Sequence, residues 1–223
     1  MTEWWTYRLS SFLLFSPRTW FRLHELYNAE IWPAQIVALA LGVAIVVLAR
    51  RGGHRSGPAI AVLLAACWLW VAWAFHWRRY ATINFAATWF AAAFAAEALL
   101  LVMLGAVRGR LALDANTWRH PGIWLVAFAL IVQPLLGGLS GRSLLQSEYF
   151  GVAPDPTVTA TLGVLLLTRR RSPVLMAIPL LWCAVSGAFA WMMRTPGMLV
   201  MPIVALVTLA VAIAHRVPRT RAA

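Results

Sequence analysis

Seven apolar runs, separated by short polar clusters, organise this chain. They cover about 32–49, 58–75, 84–107, 122–139, 152–168, 173–193 and 197–214. Each is close to the ~17–25 residues that a helix needs to cross a bilayer core, so the pattern predicts seven membrane spans. Prolines stand near the start of several runs: Pro33, Pro58, Pro154, Pro156 and Pro173. In the first turn of a helix the missing proline N–H leaves no bond unmade, so these positions read as helix starts. The run 152–168 is the shortest and opens on two prolines. If it did not cross, every later segment would invert.

Residues 1–31 precede the first run and have a different pattern. Ser16-Pro17 reads as an N-cap followed by proline at the first helical position. Downstream, Arg18, Arg22 and Glu25 share one helical face, and Trp20, Leu23 and Tyr27 share another. That division suits an interfacial helix lying on a membrane, and it equally suits an amphipathic helix packed on the bundle. The first 30 residues lack the charged, apolar and small-residue regions of a signal peptide, so the chain is expected to keep its N-terminus. A basic tail, 215–223, follows the last run. The predicted fold is therefore an all-α integral membrane protein: an interfacial segment, a seven-helix bundle over 32–214 and a short tail.

Composition agrees with a lipid solvent. Hydrophobic residues make up 62% of the chain and charged ones 12%, about half the charged share of a soluble domain. The formal charge of +12 does not imply nucleic acid, because the basic residues sit in clusters at the ends of apolar runs rather than on a continuous face. All 19 of them are arginine.

Arginine asymmetry orients the chain. Arg50, Arg51, Arg55, Arg108, Arg110, Arg119, Arg169, Arg170, Arg171, Arg216, Arg219 and Arg221 fall in one set of connections. Arg8, Arg18, Arg22, Arg78, Arg79, Arg142 and Arg194 fall in the other. The richer set belongs in the cytoplasm, which puts the N-terminus outside and the C-terminus inside. Tryptophans near run ends (Trp4, Trp5, Trp20, Trp32, Trp77, Trp118, Trp191) fit an aromatic belt at the membrane surface.

The first and fifth runs share a proline, a Leu-Gly-Val step (Leu41-Gly42-Val43, Leu162-Gly163-Val164) and an arginine terminus. The second and sixth share neighbouring cysteine and tryptophan (Cys67-Trp68, Trp182-Cys183). Two parallel three-helix units flanking a fourth helix would account for this, as in some transporters. Chance alignment of an apolar alphabet would account for it as well.

Polar residues inside the runs are few. Glu97 stands mid-run in Ala95-Ala96-Glu97-Ala98-Leu99. A charge there costs about 3 kcal/mol even on insertion scales, so the side chain should face the bundle or a wet cavity. Kept protonated in dry surroundings, it could carry a proton; it could also be a structural hydrogen-bonding group. Tyr80 and Asn84, with Glu148 and Asp155 in the polar stretch 146–157, could line an outer vestibule. Asp155 could instead cap the fifth helix, with Thr157 in its first turn. Cys67 and Cys183 lie within runs, where cysteine is usually a small apolar residue, although two thiols and a carboxylate could hold a soft metal. His54, His120 and His215 belong to cytoplasmic ends, and only His24 with His76, joined by Glu25 or Glu30, could make an external metal site.

No metal or cofactor pattern emerges. Haem would need histidines within the spans, and retinal would need a lysine. Gly138-Leu139-Ser140-Gly141 with His215 resembles an intramembrane serine protease pair, but the two ends lie about a bilayer thickness apart, beyond the reach a nucleophile and base require. No enzyme is expected.

Several motifs together, Trp4-Trp5-Thr6-Tyr7, Phe12–Thr19, Glu25-Leu26-Tyr27-Asn28, Trp32-Pro33-Ala34-Gln35, Tyr80–Asn84, Glu97 and Phe150–Thr157, resemble a bacterial family of multi-pass inner-membrane proteins of unknown function. Its members are loosely called permeases, which implies a membrane carrier without naming its cargo. The 3+1+3 outline is also similar in layout to sugar-type SWEET transporters, without their Pro-Gln pair.

The expected function is a small transporter or permease for an unidentified solute, proton-linked through Glu97, with Tyr80, Asn84, Glu148 and Asp155 at its entrance. The alternative is a non-transporting membrane subunit that anchors or scaffolds a partner. Expected partners are the bilayer and a small solute, not nucleic acid. The reading admits a homo-oligomer or a membrane-complex partner.

Overall fold

In a computed structural model, residues 15–113, 121–139, 141–195 and 197–214 are described. They are helical throughout, with only an isolated bridge between Leu113 and Thr168. The helices are α1 (Pro17–Glu30), α2 (Ala34–Arg51), α3 (Ser56–Trp70, continued by a π turn over Val71–Trp77), α4 (Ala87–Val107), α5 (Pro121–Leu139), α6 (Pro154–Leu166), α7 (Pro173–Met192) and α8 (Val200–Ala214). A helix thus forms at each of the seven apolar runs. α2, α3, α4, α5 and α7 are long and apolar enough to cross a membrane; α6 and α8, at 13 and 15 residues, are shorter.

Helix starts follow the proline pattern. Ser16 caps α1 by accepting a bond from the Thr19 amide at 3.2 Å, with Pro17 at the first helical position. Pro154 and Pro173 open α6 and α7, and Pro33 stands just before α2. Within α5, a π segment at Phe128–Val132 directly precedes Pro134. A widened turn there absorbs the missing proline N–H and the crowding of its ring, so the helix continues.

α6 is the axis of the bundle. Every residue from Pro156 to Leu166 is buried, as expected of a helix apolar on all sides. It packs on α5, α7, α8 and α3. Gly122 of α5 and Gly163 of α6 let the two backbones touch: a Cβ on Gly122 would stand 2.4 Å from the Gly163 carbonyl oxygen. Trp68 of α3 reaches α6 through an indole bond to Thr161 Oγ1 at 2.8 Å. The outer surface is apolar, with Ile36, Val43, Phe85, Trp89, Trp124 and Leu139 exposed. A monomer in water does not normally carry apolar surface of this extent.

At one end of the bundle the Arg169 amide bonds to Ala112 and its side chain to Leu113, gathering the arginine-rich connections after α4 and α6. At the other end, α1 lies across the loop 141–153. Tyr27 donates to the Val152 carbonyl, and Asn28 donates to those of Leu145 and Ser147, at 2.7–2.8 Å. Leu23, His24, Tyr27 and Asn28 are buried, while Arg22 and Glu25 pair on the exposed side. α1 therefore packs on the bundle as one of its two predicted readings required. The first and fifth runs, which the repeat would equate, have opposite surroundings: α2 is largely on the surface and α6 is enclosed. Ser140 and His215, Trp4, Trp5 and Trp118, and the motifs in residues 1–14 lie outside the described residues.

Candidate functional site

A pocket opens at the α1 end of the bundle, with a cavity of about 110 Å³. Its polar wall comes from four elements: Gln133 of α5, Arg142, Ser147 and Glu148 of the following loop, Asp155 of α6, and Ser186 of α7. Aromatic rings of Trp20, Tyr80, Trp182 and Phe189 supply the rest.

Asp155 occupies the first turn of α6 but does not cap it; no side chain caps that helix. Its carboxylate crosses instead to α7. One oxygen accepts the Trp182 indole N–H and the other accepts the Ser186 hydroxyl, both at 2.7 Å. The two donors lie one helical turn apart, so α7 presents them as a fork that fixes the carboxylate plane. Thr157 does the local work of the loop: its hydroxyl donates to the Ala153 carbonyl and accepts the Gly151 amide. Gly151 has φ of 78° and a Cβ there would meet Ala38 at 2.9 Å, so the chain turns through this point only as glycine.

Glu148 approaches α6 from the loop and lies near the first turn that Asp155 occupies. An acid at a helix N-terminus meets the positive end of the helix dipole. Burial nevertheless pushes the Glu148 carboxyl up to about 7. The buried imidazole of His24 faces it, with Nε2 at 3.6 Å from Oε1. Burial pulls His24 down to about 4, so the imidazole is neutral at neutral pH and the contact is not an ion pair there. Nδ1 of His24 contacts the Trp20 carbonyl at 3.1 Å.

Arg142 lies over the Phe21 ring, 4.4 Å from its centre, and is drawn electrostatically toward Glu148. No carboxylate approaches within ion-pair distance among the described residues. Three polar atoms of lining residues are buried without a partner among the described residues: Arg142 Nε, Gln133 Oε1 and Ser147 Oγ.

Of the residues singled out in the sequence, Tyr80, Glu148 and Asp155 converge on this pocket. Asn84 stands behind it, donating to the Tyr80 hydroxyl at 2.9 Å and accepting the Ala86 amide at the start of α4. Glu97 is not among the pocket residues; it is fully buried on α4, with neither carboxyl oxygen bonded among the described residues. His76, at the end of α3 toward the pocket, is fully buried, with its ring between Phe94 and Trp182 at 4.5 and 5.1 Å and neither nitrogen bonded among the described residues. Sequence reading missed Arg142, Trp182, Ser186 and Gln133; an arginine and a serine near span ends look like topology and packing. Cys67 and Cys183 are both unbridged and buried, Cys67 against the Gly151 turn. Among the described residues no three histidine, cysteine, aspartate or glutamate side chains gather to hold a metal ion.

A family model, the family of unknown function DUF6064, matches residues 18–223. The chain belongs to this family. Comparison with curated proteins and with solved structures finds no match. The match spans α1 to the C-terminus, so the DUF6064 unit includes α1 together with the seven helices it caps, and every pocket residue except Phe15. That agrees with the resemblance drawn from the sequence motifs.

Proposed function

We propose that this DUF6064 chain is a small permease of the bacterial cytoplasmic membrane that admits a polar solute through the α1-end pocket. In this reading α2 through α8 all cross, the N-terminus is outside and the C-terminus is cytoplasmic. The five long apolar helices and the exposed apolar surface support the membrane setting. Exposed Trp32, Trp77 and Trp191 support an interface at the pocket end. The short α6 is enclosed by its neighbours, so it need not match the hydrocarbon thickness by itself.

The observation that carries the reading is the convergence of Asp155, Glu148 and Arg142 on one cavity, whose lining residues include atoms without a partner among the described residues. Ligand sites take this form: a mostly apolar concavity with a few aimed polar groups. Glu97 enters as a second, separate carboxyl. For it to couple proton movement to solute, the sealed α3–α4 region must open during the cycle.

That sealing favours a second reading, a non-transporting membrane subunit that anchors a partner through α1. Liposomes holding a pH-sensitive dye decide between them. Wild type, Asp155→Asn and Glu97→Gln are compared across amino acids, sugars, organic acids and metal ions. Solute uptake lost in Asp155→Asn supports the permease, and a proton signal lost in Glu97→Gln supports coupling. No uptake of any solute class by folded protein turns the choice to the subunit, with partner capture through α1 next.

A further inference from the structure

We infer that the α1-end pocket binds a small zwitterion, an ammonium and a carboxylate on one short frame in the size class of alanine. The inference rests on reading that pocket as a solute site. Charge sorting is the first argument. Asp155, Glu148 and Arg142 all line the cavity. A simple anion drawn to Arg142 would meet both acids. A simple cation at the acids would leave Arg142 without a direct ion-pair partner, since among the described residues no carboxylate is within ion-pair distance of it. A ligand carrying both charges satisfies the acids and Arg142 at once.

Geometry supports the same assignment. Trp182 and Ser186 each occupy one oxygen of Asp155 and hold it still, leaving the remaining lone pairs for an ammonium. Gln133 Oε1 is a further buried acceptor without a partner among the described residues, suited to a second ammonium N–H. Arg142 Nε and the hydroxyl of Ser147, which is 3% exposed, are donors without a partner among the described residues, suited to a carboxylate. Guanidinium binds carboxylate through two parallel bonds, which an ammonium cannot do. Size agrees. A sealed cavity of about 150 Å³ accepts benzene, so the cavity of about 110 Å³ here is of the size that the body of a small solute fills.

The test is equilibrium binding to the full chain in nanodiscs with three probes: alanine, methylamine as the ammonium alone, and acetate as the carboxylate alone. Alanine is expected to bind, and each half-probe to bind about tenfold or more weakly, the loss of one charge-assisted contact set. Arg142→Gln should abolish the advantage of alanine over methylamine, whereas Asp155→Asn should weaken both. Arg142→Lys, which keeps the charge and loses the fork, should show an intermediate advantage and serves where the glutamine variant does not elute as monodisperse protein. Methylamine binding as tightly as alanine, an advantage of alanine that survives Arg142→Gln, or no binding of any probe to folded wild type each overturns the inference. The two proposals fail separately. Alanine that binds but does not enter liposomes keeps the zwitterion site and removes the permease. Uptake of another solute, sensitive to Asp155→Asn, keeps the permease and removes the zwitterion.

Discussion

Trp182 donates its indole N–H to Asp155 at 2.7 Å, tying α7 to the first turn of α6 beside the pocket. A hydrogen bond to a charged acceptor contributes about 1.5–3 kcal/mol, against roughly half that between neutral groups. Trp182→Phe keeps most of the ring packing against Phe94 and His76 and removes only the donor. It should lower unfolding free energy by about 1.5–3 kcal/mol in detergent micelles. Ser186→Ala, which removes a donor and almost no packing, should cost less than Trp182→Phe. Equal or reversed costs would mean that Asp155 is held mainly by something other than this fork.

His24 and Glu148 face each other with opposed shifts, and the signs of their pH effects oppose as well. His24 is lowered from 6.5 to about 4. The unfolded chain therefore takes the proton first, and stability falls as pH drops from 6.5 toward about 4. Glu148 is raised from 4.5 to about 7. Here the unfolded chain loses the proton first, so stability falls as pH rises from 4.5 toward about 7. Across the shared window the two slopes cancel in part. Relative to wild type, Glu148→Gln should make stability climb more steeply with pH between about 4 and 6.5. His24→Asn should make it fall more steeply between 4.5 and about 7. Melting temperatures of the three proteins measured from pH 4 to 8 check this; parallel curves would show that neither group is shifted by folding.

The helices were legible in the sequence because a bilayer-length apolar run and a proline in a first turn are local signals. Ser16-Pro17 specifies the start of α1 within its own four residues. Which helix becomes the axis was not legible, because α6 and α2 have similar hydropathy and differ only in what surrounds them. Tyr80, Glu148 and Asp155 could be picked out as polar residues near span ends. Their partners could not: Trp182 lies 27 residues from Asp155 and Ser186 lies 31 away, inside a run whose other residues are ordinary packing. Glu97 drew attention by its rarity at mid-run, and the structure leaves it out of the pocket lining that holds Tyr80, Glu148 and Asp155.

Glu97 is fully buried with both oxygens unbonded among the described residues. A buried polar group without a partner costs about 1–3 kcal/mol, and replacing it by an apolar group of similar shape recovers that cost. Glu97→Leu should therefore unfold at the same temperature as wild type or higher. If Glu97 also serves proton coupling, the same variant should abolish any proton-linked uptake while leaving solute binding at the pocket intact. Marked destabilisation by Glu97→Leu would instead identify a structural hydrogen bond as its role.

The contact between α5 and α6 rests on absent side chains. A Cβ on Gly122 would lie 2.4 Å from the Gly163 carbonyl oxygen, and one on Gly163 would lie 2.7 Å from that of Gly122. Each backbone occupies the space the other's side chain would need, the small-residue packing that brings membrane helices close. Backbone cannot rotate aside as a flexible side chain can, so alanine at either site must push the helices apart. Gly122→Ala and Gly163→Ala should each cost about 1–3 kcal/mol. The double variant should cost less than their sum, because the separation forced by the first alanine makes room for the second. Gly138→Ala supplies the control within the same helix: nothing lies within 4 Å of its Cβ position. There the higher helix propensity of alanine, worth about 0.5–1 kcal/mol, should leave stability unchanged or raised. Additive costs at Gly122 and Gly163, or none, would show that the two backbones do not meet as described.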